Sequence, residues 1–206
     1  MPLEKLIDNI ESAWAIWKIT ESETQLSDKI NSIDRVPESV TNPFKRLEYL
    51  AGRVVIKKLL ENWSLQYEGL VKDEFGKPYL KNFSFHISLS HSYPYVAAVI
   101  NQKFAVGIDL EQPKEKLLRI GPRVLNQQEL QDAGIDIVKH CIYWCSKEAL
   151  IKIYGKKDLM LAKNLAIEPF SIQKQGSITG RIIVGSNETL VKLNYHVSDN
   201  FVVVHN

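Results

Sequence analysis

At 206 residues, with 45% apolar and 24% charged side chains, the chain can bury a globular core, which argues against an intrinsically disordered chain. Twenty-six basic against twenty-four acidic side chains leave a formal net charge of +2, too balanced for the broad positive surface of a non-specific nucleic-acid binder. No apolar run reaches the roughly eighteen residues of a membrane span, and Met1-Pro2-Leu3-Glu4-Lys5 lacks the order of a signal peptide, so a cytoplasmic protein is expected, with neither nucleic acid nor membrane as partner.

The run Trp14-Ala15-Ile16-Trp17-Lys18-Ile19 predicts an early strand, and Thr20 to Arg35 a polar helix or loop. After Pro37 and Pro43, the positions Leu47, Leu50, Ala51, Val54, Val55, Leu59 and Leu60 recur at three and four. They predict an amphipathic helix from Phe44 to about Trp63, with Arg46, Arg53 and Lys57 on its polar side. Gly76-Lys77-Pro78 is a turn signal; Phe85 to Ser90 then alternates like a strand, with Tyr95 to Ile100 as its partner.

Phe104 to Leu110 reads as a third buried strand ending in two carboxylates, Asp109 and Glu111. A helix is expected from Asp136 to Tyr154, with Ile137, Cys141, Trp144, Cys145, Ala149 and Ile153 buried; the two cysteines, four apart, read as free thiols of a reducing compartment. Short β-rich runs follow at Ala166–Gln173, Ile178–Val184, Leu190–Val197 and Phe201–Val204. The order of strand, long helix and strands occurs twice, which predicts an α+β protein of two similar lobes, 1–102 and 103–206, in a pseudo-twofold arrangement. Each lobe is a small antiparallel sheet packed with a long helix.

Asp109 and Glu111, two apart in a strand, point to the same side, which suits a metal. Glu148 and Lys152, four apart in a helix, share one face, the ordinary spacing of a surface ion pair. Together, hard oxygen donors on a strand end, a further carboxylate with a neighbouring lysine, and the basic groups of Lys45-Arg46, Arg53 and Lys57-Lys58 and of Lys152, Lys156 and Lys157 suit a magnesium-bound diphosphate. Such a set also serves a metal-dependent nuclease or phosphodiesterase, so spacing alone stops at phosphoryl chemistry.

Gly107-Ile108-Asp109-Leu110-Glu111 followed by Trp144-Cys145-Ser146-Lys147-Glu148-Ala149-Leu150-Ile151-Lys152 resembles the paired signature of the 4'-phosphopantetheinyl transferase superfamily. Phe75-Gly76-Lys77-Pro78-Tyr79-Leu80, Ser88-Leu89-Ser90-His91-Ser92 and Arg119-Ile120-Gly121-Pro122-Arg123-Val124-Leu125 are similar to further blocks of that family, in the family's order. Length and layout resemble the single-chain, surfactin-type branch, and the specific similarity runs from Phe75 to Lys157. The resemblance implies transfer of phosphopantetheine from coenzyme A to a serine of an apo acyl or peptidyl carrier protein, by a monomer whose active site lies at the joint between lobes. It implies that Asp109, Glu111 and Glu148 surround Mg2+, that Glu148 or a water held by the carboxylates deprotonates the serine, and that Lys152 neutralises the diphosphate. It also implies that His91, with Ser90, meets the 3'-phosphate of coenzyme A, that Lys77 lies beside the nucleotide, and that Arg46 and Arg53 add basic groups. The resemblance also places the carrier contact near Arg119 and Arg123.

Overall fold

The computed structural model describes residues 2–156 and 158–206; Met1 and Lys157, the last residue of the second basic cluster, lie outside the described residues. The chain divides after Val106 into two compact units, each mixed α+β with an antiparallel sheet. None of the described helices is long and apolar enough to cross a membrane.

The first unit runs β1 (Leu3–Asp8), β2 (Ser12–Lys18), α1 (Glu23–Lys29), α2 (Pro43–Asn62), β3 (Leu70–Lys72), β4 (Pro78–Leu80), β5 (His86–Ser92) and β6 (Tyr95–Asn101). Its main sheet has the order β1-β2-β6-β5, and β3 and β4 pair separately. α2 starts where the Asn42 side chain accepts from the amides of Phe44 (2.9 Å) and Lys45 (3.2 Å), with Pro43 supplying a preset helical φ at the first position. Its apolar stripe, Leu50, Val55, Ile56, Leu59 and Leu60, is buried against Ala15, Ala98 and Ile100 of the sheet. Each such aliphatic side chain contributes roughly 1.5–3 kcal/mol, so the stripe fixes how the polar residues of α2 face β5.

The second unit runs β7 (Ile108–Glu111), α3 (Lys116–Val124), α4 (Gln127–Ala133), α5 (Ile137–Tyr154), α6 (Leu161–Asn164), β8 (Leu165–Ile167), β9 (Gln175–Val184), β10 (Asn187–Val197) and β11 (Val202–His205). In the sheet order β7-β11-β10-β9-β8, β7 is an edge strand held by the C-terminal β11, with Asp109 opposite Val204 and Glu111 opposite Val202. α5 is capped by the Asp136 side chain and stopped by Gly155 at φ 83, a left-handed conformation that suits glycine. Its Lys147 is fully buried, pairs with Glu129 at 2.6 Å, and donates to the carbonyls of Val124, Leu161 and Leu165 at 2.9–3.0 Å. All the charge of this ion pair is compensated internally, which is what a buried pair needs to be tolerated.

The structure departs from the sequence reading at several points. The third strand begins at Ile108, not Phe104: the Asn101 side chain accepts from the amides of Lys103 and Phe104, both at 2.8 Å, and turns the chain there, leaving Phe104 67% exposed. β1 has no counterpart in that reading, because Leu3–Asp8 alternates weakly and pairs only as an edge. Of the first late β-rich run, Ala166–Gln173, only Ala166 and Ile167 are strand, as the end of β8. Arg53 leaves the solvated side of α2 and is buried against Asp34. Within α5, Cys141, Cys145 and Ala149 are buried and both thiols are free, whereas Ile137, Trp144 and Ile153 are half-buried.

Candidate active site

In the second unit the chemistry gathers where β7 meets α5. Gly107 makes this approach possible: a Cβ there would stand 2.1 Å from the carbonyl oxygen of Ala149. Two residues on, Asp109 is 5% exposed, a carboxylate buried at the strand end. Lys152 reaches across from α5 and donates to Asp109 Oδ1 at 2.7 Å and to the Ile108 carbonyl at 2.8 Å. Lys152 is therefore tied to Asp109 rather than to Glu148, the partner its helical spacing offered. Glu111, half-buried, has Lys116 Nζ at 3.7 Å.

Glu148 is half-buried on the same helix. Burial pushes its carboxyl up; the negative charge of Asp109 adds to this, Lys152 opposes it, and Glu111 adds a further push. Three carboxylates thus share one electrostatic neighbourhood, the condition under which one of them resists ionising and a cation is welcome. Among the described residues no three acidic, histidine or cysteine side chains form a ready-made metal cage. The donor set is all carboxylate oxygen, which fits a hard ion that keeps waters and shares substrate oxygens. Behind the strand, the Cys141 and Cys145 thiols reach the carbonyls of Glu111 (3.8 Å) and Val202 (3.9 Å), and burial pushes the Cys145 thiol up, so both act as packing.

The first unit holds a cavity of about 360 Å³ whose lining includes Lys45, Glu48, Arg53, Lys72, Ser90 and His91. Arg53 is held by Asp34 (Nε–Oδ2 3.4 Å) and by the Tyr49 carbonyl (2.9 Å), and lies over the Tyr49 ring. Asp34 in turn accepts from the Tyr67 hydroxyl, whose pKa is pushed up by burial and by that carboxylate. Gly76 and Pro78 line the cavity on either side of Lys77 in sequence; burial pushes the Lys77 ammonium down, with Asp73 opposing. Ser90, His91 and Arg53 therefore share one cavity. Arg46 does not line it: its guanidinium is bidentate on Glu23 at 2.8 and 2.5 Å and donates to the Val40 carbonyl at 2.9 Å, and Lys45 takes the cavity position instead.

On α3, Arg119 and Arg123 are both exposed, while Leu117, Gly121 and Val124 are buried, so the two arginines share the solvent face. Residues that the sequence reading did not single out are Glu48, Glu129 and Lys147. Each is buried with partners that include residues distant in sequence; the one local signal was the Asn126-x-x-Glu129 spacing of a capping box at the start of α4.

The sequence model of the 4'-phosphopantetheinyl transferase superfamily matches residues 105–203, nearly all of the second unit. The chain is similar to the 4'-phosphopantetheinyl transferase psf-1 of Bacillus pumilus, 34% identical over 116 residues, which are 52% of this chain and 49% of that protein. It is also similar to a Haemophilus influenzae protein provisionally named a 4'-phosphopantetheinyl transferase, 29% identical over 94 residues, or 41% of this chain and 39% of the relative. The matches thus span about half or less of these relatives' own lengths.

Proposed function

We propose that this chain, whose residues 105–203 match the 4'-phosphopantetheinyl transferase superfamily, acts as a member of it and moves the 4'-phosphopantetheine arm of coenzyme A onto a serine of an apo acyl or peptidyl carrier protein, releasing 3',5'-ADP. The observation that carries this reading is the cluster of Asp109, Glu111 and Glu148, edged by Lys152, within the residues that the family matches. The serine oxygen forms a bond to the β-phosphorus, the bond from that phosphorus to the oxygen bridging the two phosphates breaks, and the electron pair leaves with 3',5'-ADP. Glu148, or a water held by the carboxylates, takes the serine proton; a carboxyl pushed up by burial and neighbouring charge is suited to that task. Lys152 holds Asp109 in place and offers its ammonium to the charge that builds on the leaving phosphate. A magnesium ion, held by Asp109, Glu111 and Glu148, supplies positive charge for the diphosphate when bound.

The cavity with Lys45, Arg53, Ser90 and His91 takes the nucleotide, with His91 on the 3'-phosphate and Lys77 alongside. Positioning and charge stabilisation carry most of phosphoryl transfer, so this small set suffices without a covalent enzyme intermediate. The exposed Arg119 and Arg123 receive an acidic carrier. Buried free thiols fit a reducing cytoplasm, where the chain works as a monomer.

The test is release of 3',5'-ADP from coenzyme A with and without apo carrier. Release that requires both the carrier and its acceptor serine supports the transferase. Release without carrier, or cleavage of DNA or RNA by the same preparation, supports a metal-dependent phosphodiesterase instead.

A further inference from the structure

Glu48 sits in the lining of the first unit's cavity, where a negative charge opposes an anionic ligand unless it serves the cations around it. It is 4% exposed and lies on α2 three residues after Lys45, on the same face. Three groups converge on it. Lys45 Nζ stands 2.7 Å from Oε2, His91 Nδ1 stands 3.2 Å from the same oxygen, and the Tyr93 amide donates to Oε1 at 3.0 Å. Burying a carboxylate is costly, and this one is retained at the contact between α2 and the turn joining β5 to β6.

The His91 ring is 46% exposed at its side chain and meets Glu48 through Nδ1, which leaves Nε2 as the nitrogen available to a ligand. In a histidine, the partner of one nitrogen sets the orientation of the ring and which nitrogen faces outward. We propose that Glu48 is a positioning residue for His91: it fixes the imidazole through Nδ1 and so presents Nε2 to a phosphate monoester on the nucleotide. The Tyr93 contact holds the turn that follows the His91 strand at the same carboxylate. This rests on the assignment of His91 to the 3'-phosphate made above. A carboxylate that only tied the helix to the hairpin would affect all nucleotide ligands alike.

Coenzyme A and dephospho-coenzyme A, which differ in that one phosphate, separate these roles by calorimetric titration of the full chain. Glu48→Gln keeps the size of the side chain and an acceptor for the Tyr93 amide. It should weaken coenzyme A about tenfold and dephospho-coenzyme A less than about twofold, the loss of one oriented hydrogen bond to a charged group. In a His91→Ala background the same substitution should add less than about twofold, since both changes remove one interaction. Equal weakening of the two ligands, or a full additional loss in that background, overturns the proposal. If His91→Ala itself fails to distinguish the ligands, the assignment of His91 falls and the proposal with it. If His91→Ala distinguishes them while Glu48→Gln is silent, only the role of Glu48 falls. Long-range proton–nitrogen NMR of the unmutated chain reads the same arrangement should Glu48→Gln not fold. The singly protonated His91 ring is expected to carry its proton on Nδ1, with Nε2 gaining a proton and donating it to the phosphate on addition of 3',5'-ADP; a proton on Nε2 with Nδ1 bare contradicts it.

Discussion

Gly107 and Ala149 meet backbone to backbone, so closely that a Cβ on Gly107 would stand 2.1 Å from the Ala149 carbonyl oxygen and 3.0 Å from the Ile153 side chain. That contact sets the depth at which Asp109 lies against α5, with Glu148 just before Ala149 and Lys152 one turn beyond it. Gly107→Ala must therefore push β7 off the helix. We expect a stability loss of about 1–3 kcal/mol or more by urea unfolding, together with loss of activity from displacement of Asp109 relative to Lys152. An unchanged unfolding midpoint with normal turnover would show that strand and helix relax around the methyl group.

Lys147 precedes Glu148 but belongs to the fold. It is fully buried, with Glu129 and three carbonyl oxygens as partners. Removing it in Lys147→Ala strands the Glu129 charge, for which a cost of about 3–5 kcal/mol is expected. The double variant Lys147→Met, Glu129→Gln should recover part of that loss. A single variant as stable as the parent would refute the structural role.

The Glu48 carboxyl gives stability a dependence on pH. Burial alone would raise it, but His91 and Lys45 outweigh burial and hold it at about 2, against an ordinary 4.5. Between those values the unfolded chain binds the extra proton, so stability rises with pH there. The contribution is present above about pH 4.5 and is lost as pH falls towards 2; it amounts to at most about 3 kcal/mol. The difference in unfolding free energy between the parent and Glu48→Gln should shrink on going from pH 6 to pH 3. A difference constant over that range would mean that Glu48 is not held ionised.

Arg119 and Arg123 share the exposed face of α3. If they dock an acidic carrier, the double variant Arg119→Ala, Arg123→Ala should raise the carrier KM and flatten its salt dependence, with coenzyme A saturating and kcat little changed. Exposed charges are screened beyond about 8 Å at physiological ionic strength, so the salt slope reports on these contacts. An unchanged carrier KM would remove the docking face and leave the catalytic assignments standing.

The parts of this fold legible in the sequence were those with strong periodicity or local turn chemistry. α2 and α5 followed from apolar recurrence at three and four, and β5 with β6 from alternation after a turn. The adjacency of Asp109 and Lys152 followed only in outline: sequence placed each on its element, while the approach through Gly107 and the 2.7 Å contact are tertiary. Helical spacing offered Glu148 as the partner of Lys152, but a lysine at the end of α5 finds a buried carboxylate on the neighbouring strand. Similarly, the period of α2 put Arg53 outside, and a buried Asp34 from a distant segment drew it in. Arg46 shows the same limit, since its partner Glu23 lies on α1. Local pattern fixes which face a residue occupies, and pairing across elements decides where its charge goes.

Intact-mass spectrometry of an apo carrier after incubation with this chain, coenzyme A and magnesium tests the transfer most directly. We expect the carrier to gain the mass of one phosphopantetheine, to gain nothing when its acceptor serine is alanine, and to gain it at least about a hundredfold more slowly with Asp109→Asn. A carrier that stays at its apo mass while coenzyme A is consumed, or that is modified at the normal rate by Asp109→Asn, would contradict the transfer or the site proposed for it.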